Sequence, residues 1–198
     1  SVPGISKTPS AAGAPTIDFE GEGGALFAAN GTVALDAFGF VVAKGTFDLA
    51  KLSGVAIDDG ITAPFTADVL TLSTTLSGFA GVGASLSQDP VTDVATVTVV
   101  TTDAIGFSLA SASIDLAIVQ NTTTLTNKYL GLEASLTNAA LVGITDLTFV
   151  ASGAVQVNQG PGARLDWSAV TGTGNELPGV TLTMDETVVL AANGTVAL

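Results

Sequence analysis

Through most of this chain apolar residues alternate with small or polar ones in runs of about six to fourteen, the period-two signature of strands with one face turned toward a core. Across residues 105–119, Ala110, Ala112, Ile114, Leu116 and Ile118 fall on one face, and Phe107, Leu109, Ser111, Ser113, Asp115 and Ala117 on the other. Residues 91–100 alternate in the same way, and Thr101-Thr102-Asp103-Ala104 between the two runs predicts a hairpin. Residues 129–142 and 147–157 form a second predicted hairpin around Gly143-Ile144-Thr145-Asp146. A connection this short joins antiparallel strands, whereas parallel strands need a crossover of about a dozen residues or more. Further strands are predicted over 16–20, 25–35, 38–50, 69–76, 79–86, 165–170, 180–184 and 187–198. Between them lie turn compositions such as Asp58-Asp59-Gly60, Gln88-Asp89-Pro90, Gly160-Pro161-Gly162 and Gly172-Thr173-Gly174-Asn175. No helix is predicted, the nearest candidate being a short stretch over 47–55 that ends at Gly54. The expected fold is all-β, an elongated and mainly antiparallel β-meander or sandwich-like rod, with a parallel β-solenoid as the alternative.

One segment occurs twice. Ala28-Ala29-Asn30-Gly31-Thr32-Val33-Ala34-Leu35 returns unchanged as residues 191–198, an offset of 163 residues. The same offset aligns Pro15 with Pro178, Ile17 with Val180, Phe19 with Leu182 and Glu22 with Asp185. Repetition at a fixed period implies units that complete one another's structure. The expected organisation is a flexible linker or tail over 1–14, one all-β repeat unit over 15–178, and 179–198 as either the start of the next unit or a strand that closes this one. Asn30-Gly31 and Asn193-Gly194 suit a tight turn, but alternation continues through Val33 and Leu35, so one strand with a glycine bulge is preferred. A weaker likeness links 38–49 with 146–157, each with a central glycine among alternating apolar residues.

Composition narrows the function classes. Hydrophobic residues make up 47% of the 198 and charged residues only 12%, with a net charge of −13. The five basic residues, Lys7, Lys44, Lys51, Lys128 and Arg164, are scattered singly, so no phosphate-neutralising patch exists and nucleic acid is not an expected partner. The chain has no cysteine and no histidine, which removes disulfides, thiolate chemistry, imidazole metal sites and histidine-based acid–base catalysis. No apolar run is long enough to cross a bilayer as a helix, and membrane insertion is not expected. Acidity and repetition together point to an extracellular or cell-surface location.

Tyr129-Leu130-Gly131-Leu132-Glu133-Ala134, then Ala140-Leu141-Val142-Gly143-Ile144, Leu147-Thr148-Phe149 and Val155-Gln156-Val157-Asn158, resemble stretches that recur in the long repeats of giant secreted or surface proteins of bacteria. The resemblance covers roughly residues 105–198 and, more loosely, 25–50. It implies an extracellular array with adhesive, fibrous or scaffolding roles, and neighbouring copies of the same repeat as partners. It carries over no catalytic residue.

Acidic clusters are the remaining candidate chemistry. Calcium takes six to eight oxygens from carboxylates and loop carbonyls, and Asp58, Asp59, Asp89 and Asp93 are the candidate ligands. Their ordinary reading is solvated turns and charged strand edges that discourage aggregation. Glycoside hydrolysis would need paired carboxylates in a cleft, and no Ser or Thr has a histidine base, so an enzyme is not expected. Trp167 and Tyr129 would suit a small platform for surface glycans. Asn30, Asn121 and Asn193 lie in glycosylation sequons. The function expected is a non-enzymatic structural module of an extracellular repeat protein or fibre. The alternatives are a self-assembling filament subunit joined by strand addition and a carbohydrate-binding module.

Overall fold

A computed structural model describes residues 5–7, 16–19, 25–88, 95–99, 103–171, 177 and 179–198. Among the described residues eleven strands and one short helix follow one another: β1 Ile5–Lys7, β2 Thr16–Phe19, β3 Ala25–Ala37, β4 Val41–Ile57, β5 Phe65–Val82, β6 Ala84–Gln88, β7 Ala95–Val99, β8 Ile105–Asn121, β9 Lys128–Val142, β10 Val150–Gln159, α1 Trp167–Thr171 and β11 Leu190–Ala197. Nine strands make one open sheet in the order β1-β2-β3-β4-β5-β8-β9-β10-β11, and β6 pairs with β7 apart from it. Every pairing is antiparallel, which excludes the parallel solenoid.

Register sorts the side chains into two faces. One row crosses the sheet through Leu49, Leu72, Leu116, Leu132, Val157 and Leu190. The same face carries Val33, Leu35, Val41, Val82, Ile105, Phe107, Leu136, Val155 and Val196, all exposed, and among the described residues nothing covers it. The opposite face is covered twice. At one end Leu165, Trp167, Val170, Leu177, Val180, Leu182 and Met184 lie on Val69, Thr71, Ala117, Val119 and Tyr129 as a lid. At the other end the β6–β7 hairpin covers a smaller cluster of Val42, Phe79, Ala84 and Ala104.

The all-β expectation holds, and several particulars change. Residues 95–99 pair with β6, not with β8, because Gly83 turns the chain at a φ of +99° and leads β6 out of the sheet. β8 is thereby free to pair with β5 on one side and β9 on the other. The hairpin expected around Gly143–Asp146 is present as β9–β10. Residues 47–55 lie inside β4, and the helix sits instead at 167–171, where a strand was expected. Asp166 caps it: its Oδ1 accepts from the Ala169 amide at 3.2 Å and the Ser168 hydroxyl at 2.6 Å.

Residues 180–184 belong to no strand; Val180, Leu182 and Met184 are buried in the lid and Thr181 and Thr183 are exposed. Both copies of the eight-residue repeat are continuous strands, as preferred, yet neither bulges at its glycine. The irregularity near Gly153 arises in its partner β9, where Asn138 has a φ of +51°. In β8 a similar irregularity around Ala110 moves Phe107 and Leu109 onto the apolar face, where strict alternation had placed them opposite. Within the expected tail, Ile5–Lys7 pairs with β2; the remainder of 1–14 and the turn composition at 172–175 lie outside the described residues.

Candidate functional site

The lid is held by three polar knots. Asn158, fully buried, accepts a hydrogen bond from the Trp167 indole at 2.9 Å and donates to the carbonyls of Leu165 at 2.9 Å and Asp185 at 3.0 Å. Glu133 reaches up from β9 and accepts from the amides of Thr183 at 2.6 Å and Met184 at 3.0 Å and from the Gln156 side chain at 3.0 Å. Thr171 accepts from the Leu182 amide at 2.9 Å. Gly131 belongs here for steric reasons: a Cβ on it would stand 2.6 Å from Trp167 and 2.7 Å from Leu182. The indole therefore packs directly against bare backbone.

Asp59, a calcium candidate, has another task. Its Oδ1 accepts from the Ile61 amide at 3.1 Å, the Thr62 amide at 2.7 Å and the Thr62 hydroxyl at 2.6 Å, and its Oδ2 from the Asp166 amide at 3.2 Å. Burial pushes this carboxyl up, but the donors from Thr62, Ile61 and Asp166 outweigh it and hold the pKa below the ordinary value. Burial, and then the charge of Asp59, raise the Tyr129 phenol. Asp58 is exposed and caps the same turn, accepting from the Gly60 amide at 2.9 Å. Asp89 and Asp93 lie outside the described residues. Among the described residues no three acidic side chains converge closely enough to hold a metal ion. Asp185, at the lid's end, is held below its usual range by the Thr187 hydroxyl and amide.

The expected sugar platform is not formed by the rings proposed for it. Trp167 is 0% and Tyr129 6% exposed, and Tyr129 stacks on Phe65 with ring centroids 5.5 Å apart. Both rings are core. Of the sequon residues, Asn30 and Asn193 are exposed within strands, and Asn121 caps a turn by accepting from the amides of Thr123 and Thr124 at 2.8 Å each.

Between the lid and the β6–β7 hairpin the covered face carries two polar rows that alternation alone did not reveal. One runs Asn30, Asp48, Ser73, Asp115, Glu133, Gln156; the next runs Thr32, Thr46, Thr75, Ser113, Ser135. Their hydroxyls pair sideways, Thr46 with Thr75 at 2.8 Å and Ser113 with Ser135 at 2.7 Å. Successive residues of each row lie 14 to 42 apart in sequence, so only register brings them together. Side-chain pairs of this kind fix register in a sheet.

The last feature is at the edge. β11 pairs with β10 over eight positions and is exposed along most of its length; its outer edge has no partner among the described residues. No protein-family model, no curated protein and no solved structure matches this chain.

Proposed function

We propose that this chain is a non-enzymatic structural module of an extracellular repeat protein, an adhesin-like scaffold or fibre. The observation that carries the reading is the placement of the repeated segment. The same eight residues lie within β3 and, but for the last, Leu198, within β11, six strands apart in one sheet, and both strands run in the same direction. A sheet has this form when one unit is laid down and then begun again, and repeat proteins grow by such nearest-neighbour contacts without redesign. Low charge density, small side chains and a net charge of −13 fit a soluble, closely paired β-structure outside the cell.

An antibody raised against the chain tests the reading on cells of its source. The expected result is a band many times larger than 19.5 kDa that is removed when intact cells are treated with protease. A band that protease removes only after lysis would overturn it. A surface band near 19.5 kDa would favour the second reading, a filament subunit joined by strand addition, which the unpaired outer edge of β11 supports.

A further inference from the structure

β3 and β11 are chemically the same strand in two unequal settings. Six strands separate their positions in the order β3-β4-β5-β8-β9-β10-β11, and in an antiparallel sheet an even number of steps restores the direction. Register restores the face as well. Gly31 is joined through Phe47, Thr74, Ile114, Ala134 and Val155 to Ala192, so Gly31 and Ala192 share a face. Ala192 is the copy of Ala29, which lies on that same face of β3. Equal direction and equal face mean that the backbone groups along corresponding edges also correspond.

The inner edge of β11, held by β10, is therefore the equivalent of the β3 edge held by β2. The outer edge of β11 is the equivalent of the β3 edge held by β4. On β3 that edge makes twelve residue pairs, from Ala25 opposite Leu52 to Ala37 opposite Val41. On β11 it makes none among the described residues.

We propose that the outer edge of β11 is the docking site for the β4 strand of a second unit of this sequence following in the same chain, with Thr195 opposite that unit's Thr46. The register follows from Thr32 opposite Thr46 in this unit and the offset of 163 residues. β11 does for the following unit what β3 does here, so the sheet passes from unit to unit without a break.

The joint also assigns the residues ahead of the repeated strand. The equivalents of β2 are residues 179–182, and these do not pair with β11; they lie in the lid, with Val180 5% and Leu182 1% exposed. β10 takes the edge that β2 holds on β3, with eight pairs where β2 makes three. Residues 179–189 thus complete the unit they follow, and the next unit begins at its shared strand.

The inference rests on the structural-module reading and is tested separately from it. Residues 36–198 are fused directly after Leu198, so that the second unit has no β3 of its own. Thr195→Cys is combined with Thr46→Cys in the second unit. Directly opposed residues have Cα atoms about 4.5–5.5 Å apart, within the span of about 4.4–6.8 Å that a disulfide bridges. The expected result is a second unit that melts cooperatively and an intramolecular disulfide found by peptide mapping. Ala197→Cys with Lys44→Cys should cross-link likewise, while Thr195→Cys with Asp48→Cys, two residues out of register, should not. A folded second unit without the in-register cross-links, or with the off-register one in equal yield, overturns the joint. So does a second unit that fails to fold. Either failure, with a large protease-sensitive surface band still present, removes the joint and leaves the module reading standing.

Discussion

Asp59 is the side chain whose removal the structure prices most clearly. It ties the β4–β5 turn to the start of the lid helix through three donors on Oδ1 and one on Oδ2. In Asp59→Asn the carbonyl oxygen can keep the three turn donors, but an amide NH2 then faces the Asp166 N–H. The substitution loses one hydrogen bond to a charged group, worth about 1.5–3 kcal/mol. Asp59→Ala leaves all four donors to whatever water can reach them, and at about 1 kcal/mol or more each the loss should approach 4 kcal/mol. The pH dependence has a definite sign. A carboxyl whose folded pKa is depressed contributes stability that is present above its unfolded pKa, about 3.9, and is lost as pH falls through the lower folded value. Urea unfolding of wild type and Asp59→Asn from pH 7 to pH 2.5 is the assay. The difference should be about 2 kcal/mol at pH 7, estimated from that single bond, and should shrink steadily below pH 4. Equal stability at pH 7, or a deficit that does not change with pH, would refute the assignment.

Gly131→Ala should cost about 1–3 kcal/mol by overpacking against the indole, read as a lowered urea midpoint, and Gly131→Ala with Trp167→Phe should lose less than the sum of the two single losses. Trp167, the single tryptophan, should emit at short wavelength and resist iodide quenching while the lid is closed, and Trp167→Phe should cost about 1–3 kcal/mol by orphaning the buried Asn158 oxygen. Millimolar calcium should leave the melting temperature of wild type and of Asp59→Asn unchanged, since the Asp59 carboxylate is already engaged by four donors; a rise in wild type that Asp59→Asn abolishes would restore Asp59 as a ligand.

Strands were legible where a residue's environment depends on its immediate neighbours. Alternation along 129–142 and 147–157 located β9 and β10 because two flat strands joined by a short connection, seven residues over 143–149 where four were expected, have few other ways to pair. The same signal misplaced Phe107 and Leu109, since one extra residue in β8 reverses the faces and leaves no mark in composition. β6 and β7 were mispaired because residues 91–100 alternate as well beside Ile105 as beside Ala84, and only the backbone turn at Gly83 decides. The lid was the least legible part. Trp167 and Val170 cover the sheet from little more than one helical turn, and Leu182 and Met184 from irregular backbone, so no period is long enough to be read. The Asp166 cap was a signal for the helix, but five residues are too few for a helical apolar pattern. The polar rows depend on five separate registers at once, and the equivalence of the β3 and β11 edges on six.

The joint proposed at β11 also fixes how an array lengthens. A unit joined through a shared strand advances the sheet by six strands, and at about 4.8 Å per strand this is about 29 Å measured across the strands. Joining units end to end along the strands would add more, because an eighteen-residue strand such as β5 is about 60 Å long. Stacking the uncovered apolar faces would add only the spacing of packed sheets, about 10 Å, to the distance between unit centres. Small-angle scattering from the single chain and from the fused two-unit chain separates these outcomes. Twist between strands, about 20–25° at each step, turns the second unit relative to the first and shortens the gain somewhat without bringing it near either alternative. A spacing between unit centres of about 25–30 Å is expected, and one near 10 Å or 60 Å would mean that the apolar face or the strand ends, and not the edge of β11, carry the contact.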